Sequence, residues 1–390
     1  MNKIAIASCY FQHNYGSMLQ AYATQMALDK LGYDNETIDI SGFNGKIKKA
    51  KMLYFTKASL TSDILLSKMG MAKTVLIRKF SGNEYASNSH IRADKFDTFS
   101  RRYFRMSPVY NSKAELGSKC EDIYSAVLVG SDQLWLPGNI AADYYTLNFV
   151  PASNTIAYAT SFGQSSLPRD SEEKAKVFLR KIKHIGVREE SGQKLVKELV
   201  DRDVPVVCDP TLLFTGEEWM EIQQAEPIVK GKYIFCYFLG NNPPHREFAI
   251  RLKETTGYKI IALIHLDEFV KSDEGYADET PYGIDPADFL NLIRNAEYVC
   301  TDSFHCSVFS ILYKKLFFTF RRYARNTKFS TNSRLDTLFN MVGISGKIMN
   351  GDENIEKCLK LKIDFAAAHT KLENVRADSY AYLVNSLNNA

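Results

Sequence analysis

What this chain lacks narrows its chemistry before any motif is considered. Its seven cysteines (Cys9, Cys120, Cys208, Cys236, Cys300, Cys306 and Cys358) are odd in number, scattered, and include no C-x-x-C pair. Neither a disulfide framework nor a cysteine zinc site is expected, and a reduced cytoplasmic setting fits. His13, His90, His184, His245, His265 and His369 show no H-x-x-x-H or H-E-x-x-H spacing, so no metal is expected. A G-x-G-x-x-G run is absent, which leaves the dinucleotide fingerprint unmet. No apolar run reaches the roughly eighteen residues that a spanning helix needs. The opening M-N-K-I-A-I-A-S-C-Y-F is too brief an apolar stretch for a signal peptide and reads as a buried strand. Net charge is only +4, without a zinc-finger or RNA-reading motif, which argues against nucleic acid.

What is present describes a soluble α/β protein. Hydrophobic residues make up 45% and charged residues 24% of the 390 positions, ordinary for a globular enzyme, and the length exceeds what one core supports. Residues 3–8 read as a strand, 18–31 as a helix that stops at Gly32, and 37–40 as a second strand, the opening of a Rossmann-like domain. Further buried strands are expected at 126–130, 155–160, 184–187 and 204–208. The turn-rich stretch 215–231 reads as a linker. A second β/α series follows, with strands at 233–239, 259–264, 298–301 and 316–320 and helices at 244–256, 286–295, 306–314, 334–341 and 354–387. The expected architecture is two Rossmann-like domains in series, 1–214 and 230–370, with a terminal helix over 371–390.

Within the first domain, residues 44–108 form a distinct segment. Fourteen Lys or Arg stand against four Asp or Glu, with apolar residues such as Leu53, Phe55, Ile64 and Leu76 at helix-like intervals. Two readings are open. One is a solvated helical insertion, since charge runs are usually surface faces; the other is a contact with a membrane surface or a lipid-linked anionic acceptor.

Polar groups gather just beyond the expected strands. His305 follows the 298–301 strand and begins a helix, where backbone amides favour anions and where parallel sheets bind ligands. Ser303 offers N-cap chemistry there. Arg321 and Arg322 follow the next strand and so emerge on the same edge. Asp132 follows the strand at 126–130 and is either a general base or a turn residue capping backbone amides. Asn14 and Tyr15, in the first loop, suit hydrogen bonding to a ligand's hydroxyls. Trp135 and Tyr158 read as ring-stacking or core aromatics. Cys306 reads as a packed small hydrophobe, and Asp209, followed by Pro210, as a structural turn outside the site.

Six runs in order resemble the polysaccharide pyruvyl transferase family: N-Y-G-S-M-L-Q-A-Y-A at 14–23, V-G-S-D-Q-L-W at 129–135, I-A-Y-A-T-S-F-G at 156–163, V-R-E-E-S-G at 187–192, C-D-P-T-L-L at 208–213 and T-D-S-F-H at 301–305. The resemblance implies a glycosyltransferase-B-like fold, with two domains facing a cleft, the first on the acceptor side and the second on the donor side, and a last helix returning to the first domain. It also implies transfer of pyruvate from phosphoenolpyruvate, as donor substrate and without a further cofactor, onto a free or lipid-linked sugar of a cell-surface glycan. Apart from the resemblance, the cysteine usage points to the cytoplasm, and the sharper reading of the basic segment to a peripheral contact at the inner membrane face. The family's histidine maps onto His305 and a basic donor residue onto Arg188. A later basic residue has five contenders: Arg321, Arg322, Arg325, Lys328 and Arg334. Ser303 stands where some members carry arginine.

The chemistry is consistent with those residue types. Phosphoenolpyruvate carries a phosphate and a carboxylate, both suited to the bidentate fork of arginine. A histidine near neutrality can protonate the methylene carbon or bind the phosphate. Two other readings stay open. One is a nucleotide-sugar glycosyltransferase of the same architecture, for which Asp285 and Asp288 are the available acidic residues; the other is a non-catalytic glycan-binding protein.

Overall fold

The computed structural model describes residues 3–58, 82–265, 270–322, 333–344 and 348–390. Short runs such as I-A-I-A and A-V-L-V, without polar alternation, require cover on both faces, and they form the interior of a parallel sheet. That sheet has six strands: β1 (Lys3–Ala7), β2 (Asp34–Asp39), β3 (Met106–Val109), β4 (Ala126–Val129), β5 (Thr155–Thr160) and β6 (His184–Val187). Their order is β3-β2-β1-β4-β5-β6. A second parallel sheet contains β7 (Tyr233–Tyr237), β8 (Lys259–Ala262), β9 (Tyr298–Thr301), β10 (Leu316–Phe320) and β11 (Ile348–Met349). Its order is β11-β10-β9-β7-β8. In each sheet the strand order reverses beside the first strand, between β1 and β4 and between β7 and β9. At such a point successive connections leave to opposite faces and open a crevice at the carboxyl ends.

Three departures from the sequence reading have physical causes. β2 begins at Asp34, because the polar Asn35 and Glu36 are buried with partners: Asn35 Nδ2 donates to Asp29 (2.9 Å), and Glu36 accepts from Tyr124 Oη (2.5 Å) and pairs with Lys3 (2.6 Å). β3, within the basic segment, carries only four residues on an edge and gives little hydrophobic signal. Residues 204–208 make a single bridge, Val187 to Val206, in place of a strand.

The two sheets are joined by packed side chains. Tyr15 stacks on Phe289 (4.6 Å, 8° between planes) and lies 4.8 Å from Phe96, while its hydroxyl donates to the Ile284 carbonyl (3.1 Å). The last helix, Phe365–Asn388, returns to the first domain. Ser379 Oγ accepts from the Cys208 amide (3.0 Å), Arg376 donates to the carbonyls of Leu212 and Phe214, and Tyr382 Oη donates to Ala157 O (3.0 Å). Gly186 in β6 permits this approach, since a Cβ there would meet the Tyr382 ring at 2.8 Å. Among the described residues no helix is long and apolar enough to cross a membrane.

Candidate active site

Both switch points open into one buried cluster. From the first domain come Ser17 in the helix Tyr15–Lys30, Ser131 and Asp132 after β4, Arg188 and Glu189 after β6, and Asp209 at the start of the short 3-10 turn Pro210–Leu213. From the second come His305, in the helix Phe304–Leu312 after β9, and Arg334, in the helix Ser333–Val342. Asn14 and Ser303 set the entry of their helices by capping: Asn14 Oδ1 accepts from the Ser17 amide (3.1 Å) and Ser303 Oγ from the Cys306 amide (3.4 Å).

Asp209 joins the two halves. Its Oδ2 lies 3.5 Å from His305 Nε2 and accepts from Arg188 Nη1 (2.7 Å) and Ser131 Oγ (2.8 Å). Its other oxygen accepts from the amide and hydroxyl of Thr211 (3.0 and 2.7 Å). Arg188 continues the network, with Nη2 3.7 Å from Asp132 Oδ1 and Nε 4.0 Å from Glu189 Oε2. Ser17 Oγ donates to Asp132 Oδ2 (2.5 Å). Asp132 itself has a φ of 83°, a left-handed backbone that a non-glycine residue adopts only when its surroundings hold it there. The His305 ring lies directly on Gly16, where a Cβ would overlap it. The glycine of N-Y-G-S is therefore required by close approach of the second domain.

Charge is concentrated and mostly buried. Burial alone would raise the Asp209 carboxyl, but His305 and then Arg188 hold it well below the usual carboxylate range. Asp132 is likewise lowered, against burial, by Arg188, His305 and the Ser17 hydroxyl. Arg334 is pushed down to about 9 by burial and by the guanidinium groups of Arg188 and Arg322, and is still cationic at neutral pH. With the Gln133 amide turned oxygen-first, it donates to Gln133 from Nη1 (3.0 Å) and Nε (3.2 Å). Phe304 is the shared aromatic surface, its ring centre 4.8 Å from the Arg188 guanidinium and 5.8 Å from that of Arg334.

Arg188 Nε and Nη2, Arg322 Nε and His305 Nε2 are buried with no hydrogen-bond partner. Buried donors without acceptors are costly and call for an explanation. Helices also begin here at Tyr15, Glu190, Phe304 and Ser333, adding the partial positive charge of their N-termini. Taken together, these groups can bind a multiply charged anion beside an imidazole that can carry a proton.

The expected site residues divide. His305, Asp132 and Arg188 meet. Arg322 borders the cluster, donating from Nη2 to the Asp302 carbonyl (3.2 Å). Tyr15 is corrected: it is a domain-interface residue, its ring buried and its hydroxyl engaged, and it cannot meet a sugar from there. Arg321 turns away to Asp336 (3.1 Å). Asn14 and Ser303 act as helix caps, and Lys328 lies outside the described residues. Trp135 is core, its indole donating to Tyr145 O (3.0 Å). Asp209, expected as a turn residue outside the site, is such a turn, and its carboxylate is also the centre of the network. Its place in one of the six ordered runs was the available signal.

Behind the second domain's switch point, Asp302 accepts from the amides of Leu239 (2.7 Å) and Gly240 (2.9 Å), with His245 Nδ1 4.0 Å away. Burial, against the pull of Asp302, lowers the His245 pKa from 6.5 to about 4. A histidine so depressed stabilises the fold fully above its unfolded pKa, and that contribution is lost as pH falls through the folded value. Stability should therefore drop by roughly 3 kcal/mol between about pH 6.5 and pH 4. His245→Phe, which keeps the stack on Phe320, should flatten that drop. Urea titrations across this range check it, and parallel curves for the two proteins would contradict it.

Comparison with known proteins gives a family and a fold. A family model described as polysaccharide pyruvyl transferase matches residues 14–322. No curated protein is significantly similar in sequence. Among solved structures, the UDP-GlcNAc 2-epimerase from Neisseria meningitidis bound to UDP-GlcNAc aligns over 100% of both chains, with a TM-score of 0.54 and 11% identity. The UDP-GlcNAc 2-epimerase from Methanocaldococcus jannaschii in complex with UDP-GlcNAc and UDP aligns over 100% of both chains, with a TM-score of 0.51 and 14% identity. The UDP-N-acetylglucosamine 2-epimerase from Rickettsia bellii covers 99% of this chain and 96% of its own, with a TM-score of 0.51 and 10% identity. At such identities the likeness shows the fold alone: two facing parallel-sheet domains of the glycosyltransferase-B kind.

Proposed function

Because the chain belongs to the polysaccharide pyruvyl transferase family, we propose that it transfers the pyruvyl group of phosphoenolpyruvate to two hydroxyls of one sugar as a ketal. The observation that carries this reading is the set of buried donors that form no hydrogen bond, Arg188 Nε and Nη2 beside His305 Nε2, each with only a carboxylate at 3.5 to 4.0 Å, with Arg334 and Arg322 close by. A small ligand bearing a phosphate and a carboxylate would supply what they lack. In this reading Arg334, among the later basic residues, replaces Arg321 as a donor contact.

The reaction balances with the groups present. His305 gives a proton to the methylene carbon, which becomes the methyl group, and positive charge develops at the adjacent carbon. A sugar hydroxyl attacks that carbon and its proton returns to His305. The carbon–oxygen bond to phosphate then breaks, a second hydroxyl attacks, and its proton leaves on the phosphate. Asp209 orients the imidazole from the opposite domain. Asp132, held by Ser17 and Arg188, is the carboxylate available to relay the second hydroxyl's proton to the departing phosphate.

A nucleotide-sugar reading has less behind it. The amides after β7 that would meet a diphosphate are already taken by Asp302, and Asp285 and Asp288 form a capping box at the helix Pro286–Asn295. The test is to supply phosphoenolpyruvate or nucleotide sugars with glycan acceptors, and to follow phosphate release and acid-labile pyruvate on the glycan. Nucleoside diphosphate release without phosphoenolpyruvate turnover would overturn the proposal, as would acceptor binding with no turnover of any donor.

A further inference from the structure

The helix Asn44–Ala58 has two unlike faces. On one, Ile47 enters the first domain's core with Phe43 and Ile140 and Tyr54 lies beside Gly138, while Phe55, at the border of the two faces, sets its ring tip against Gly138 and leaves the rest exposed. On the other, Lys48 and Lys49 are exposed, and one turn further on so are Met52 (60%), Leu53 (50%) and Phe55 (45%). Lys46 and Lys57 are exposed at the flanks, and the helix contains no acidic residue.

Positions 48, 49, 52, 53 and 55 fall within one arc of a helix. Three large apolar side chains exposed together are unusual on a soluble surface and mark a contact. Lysines on the same arc, one turn away, specify the kind of contact. A helix that buries a shallow apolar face while its lysines reach an anionic headgroup layer has this composition. The helix itself brings no carboxylate that such a layer would repel.

We propose that the face formed by Lys48, Lys49, Met52, Leu53 and Phe55 docks this protein on an anionic lipid surface. The opposite face of the helix packs against Pro137–Ala142, which anchors it to the first domain. This inference stands apart from the transfer chemistry, because vesicle binding is read without turnover.

The experiment is co-sedimentation of the full chain with phosphatidylcholine vesicles, with and without about 30% phosphatidylserine, at low and high salt. Binding should require the anionic lipid and weaken with salt. The double variant Met52→Glu and Leu53→Glu should lower the vesicle affinity by about tenfold or more, while Met220→Glu, at an exposed apolar residue elsewhere, should bind as wild type. Circular dichroism shows that each variant is folded. Absence of binding to anionic vesicles, or undiminished binding by the double variant, would overturn the proposal. So would a dimer in sedimentation velocity that the double variant abolishes, since the face would then serve a second copy of the chain.

Discussion

His305→Ala is expected to slow pyruvyl transfer by roughly 10²- to 10⁴-fold, the range associated with loss of a positioned acid or base, while phosphoenolpyruvate binding changes far less. The separation follows from the network. Asp209 keeps Arg188, Ser131 and Thr211 when the imidazole is removed, so the cationic pocket survives and the donor still binds. Calorimetric titration of the variant with phosphoenolpyruvate, beside a phosphate-release assay, distinguishes the two possible roles. Binding that falls in proportion to turnover would make His305 a phosphate ligand. Wild-type turnover would remove it from the chemistry.

Arg188 is expected to separate charge from geometry. Its guanidinium is buried among Asp209, Asp132 and Glu189. Arg188→Ala would leave those carboxylates uncompensated, at a cost of about 3–5 kcal/mol in stability, and a loss of activity in that variant alone would say little. Arg188→Lys retains the charge but loses the planar fork, and should weaken phosphoenolpyruvate binding by about tenfold or more, about 1.4 kcal/mol. Urea unfolding of both variants with calorimetry on Arg188→Lys forms the test. If Arg188→Lys binds the donor as tightly as wild type, Arg188 is a counter-ion for Asp209 and makes no specific donor contact.

Local pattern made much of the fold readable. Buried strands announced themselves as short apolar runs, and most helices by periodicity and caps. Asn35 and Glu36 hid the start of β2, because polar side chains satisfied by distant partners look like loop in one dimension. The site was less accessible. Arg188 and His305 stood out as polar groups at strand ends, but so did Tyr15 and Arg321, and nothing local separates a residue facing the cleft from one packed at an interface or paired with a neighbour.

By itself, the order of strands, helices and polar strand ends determined that two Rossmann-like domains would carry polar groups at their carboxyl edges, with His305 at one edge and Arg188 at the other. Only the tertiary structure decided that Asp209 binds both, that Gly16 must lack a side chain to admit the His305 ring, and that Arg334 joins the buried cations. These are distances between edges of different sheets, set by how the two domains meet across the Tyr15 interface. No spacing along the chain encodes that meeting directly.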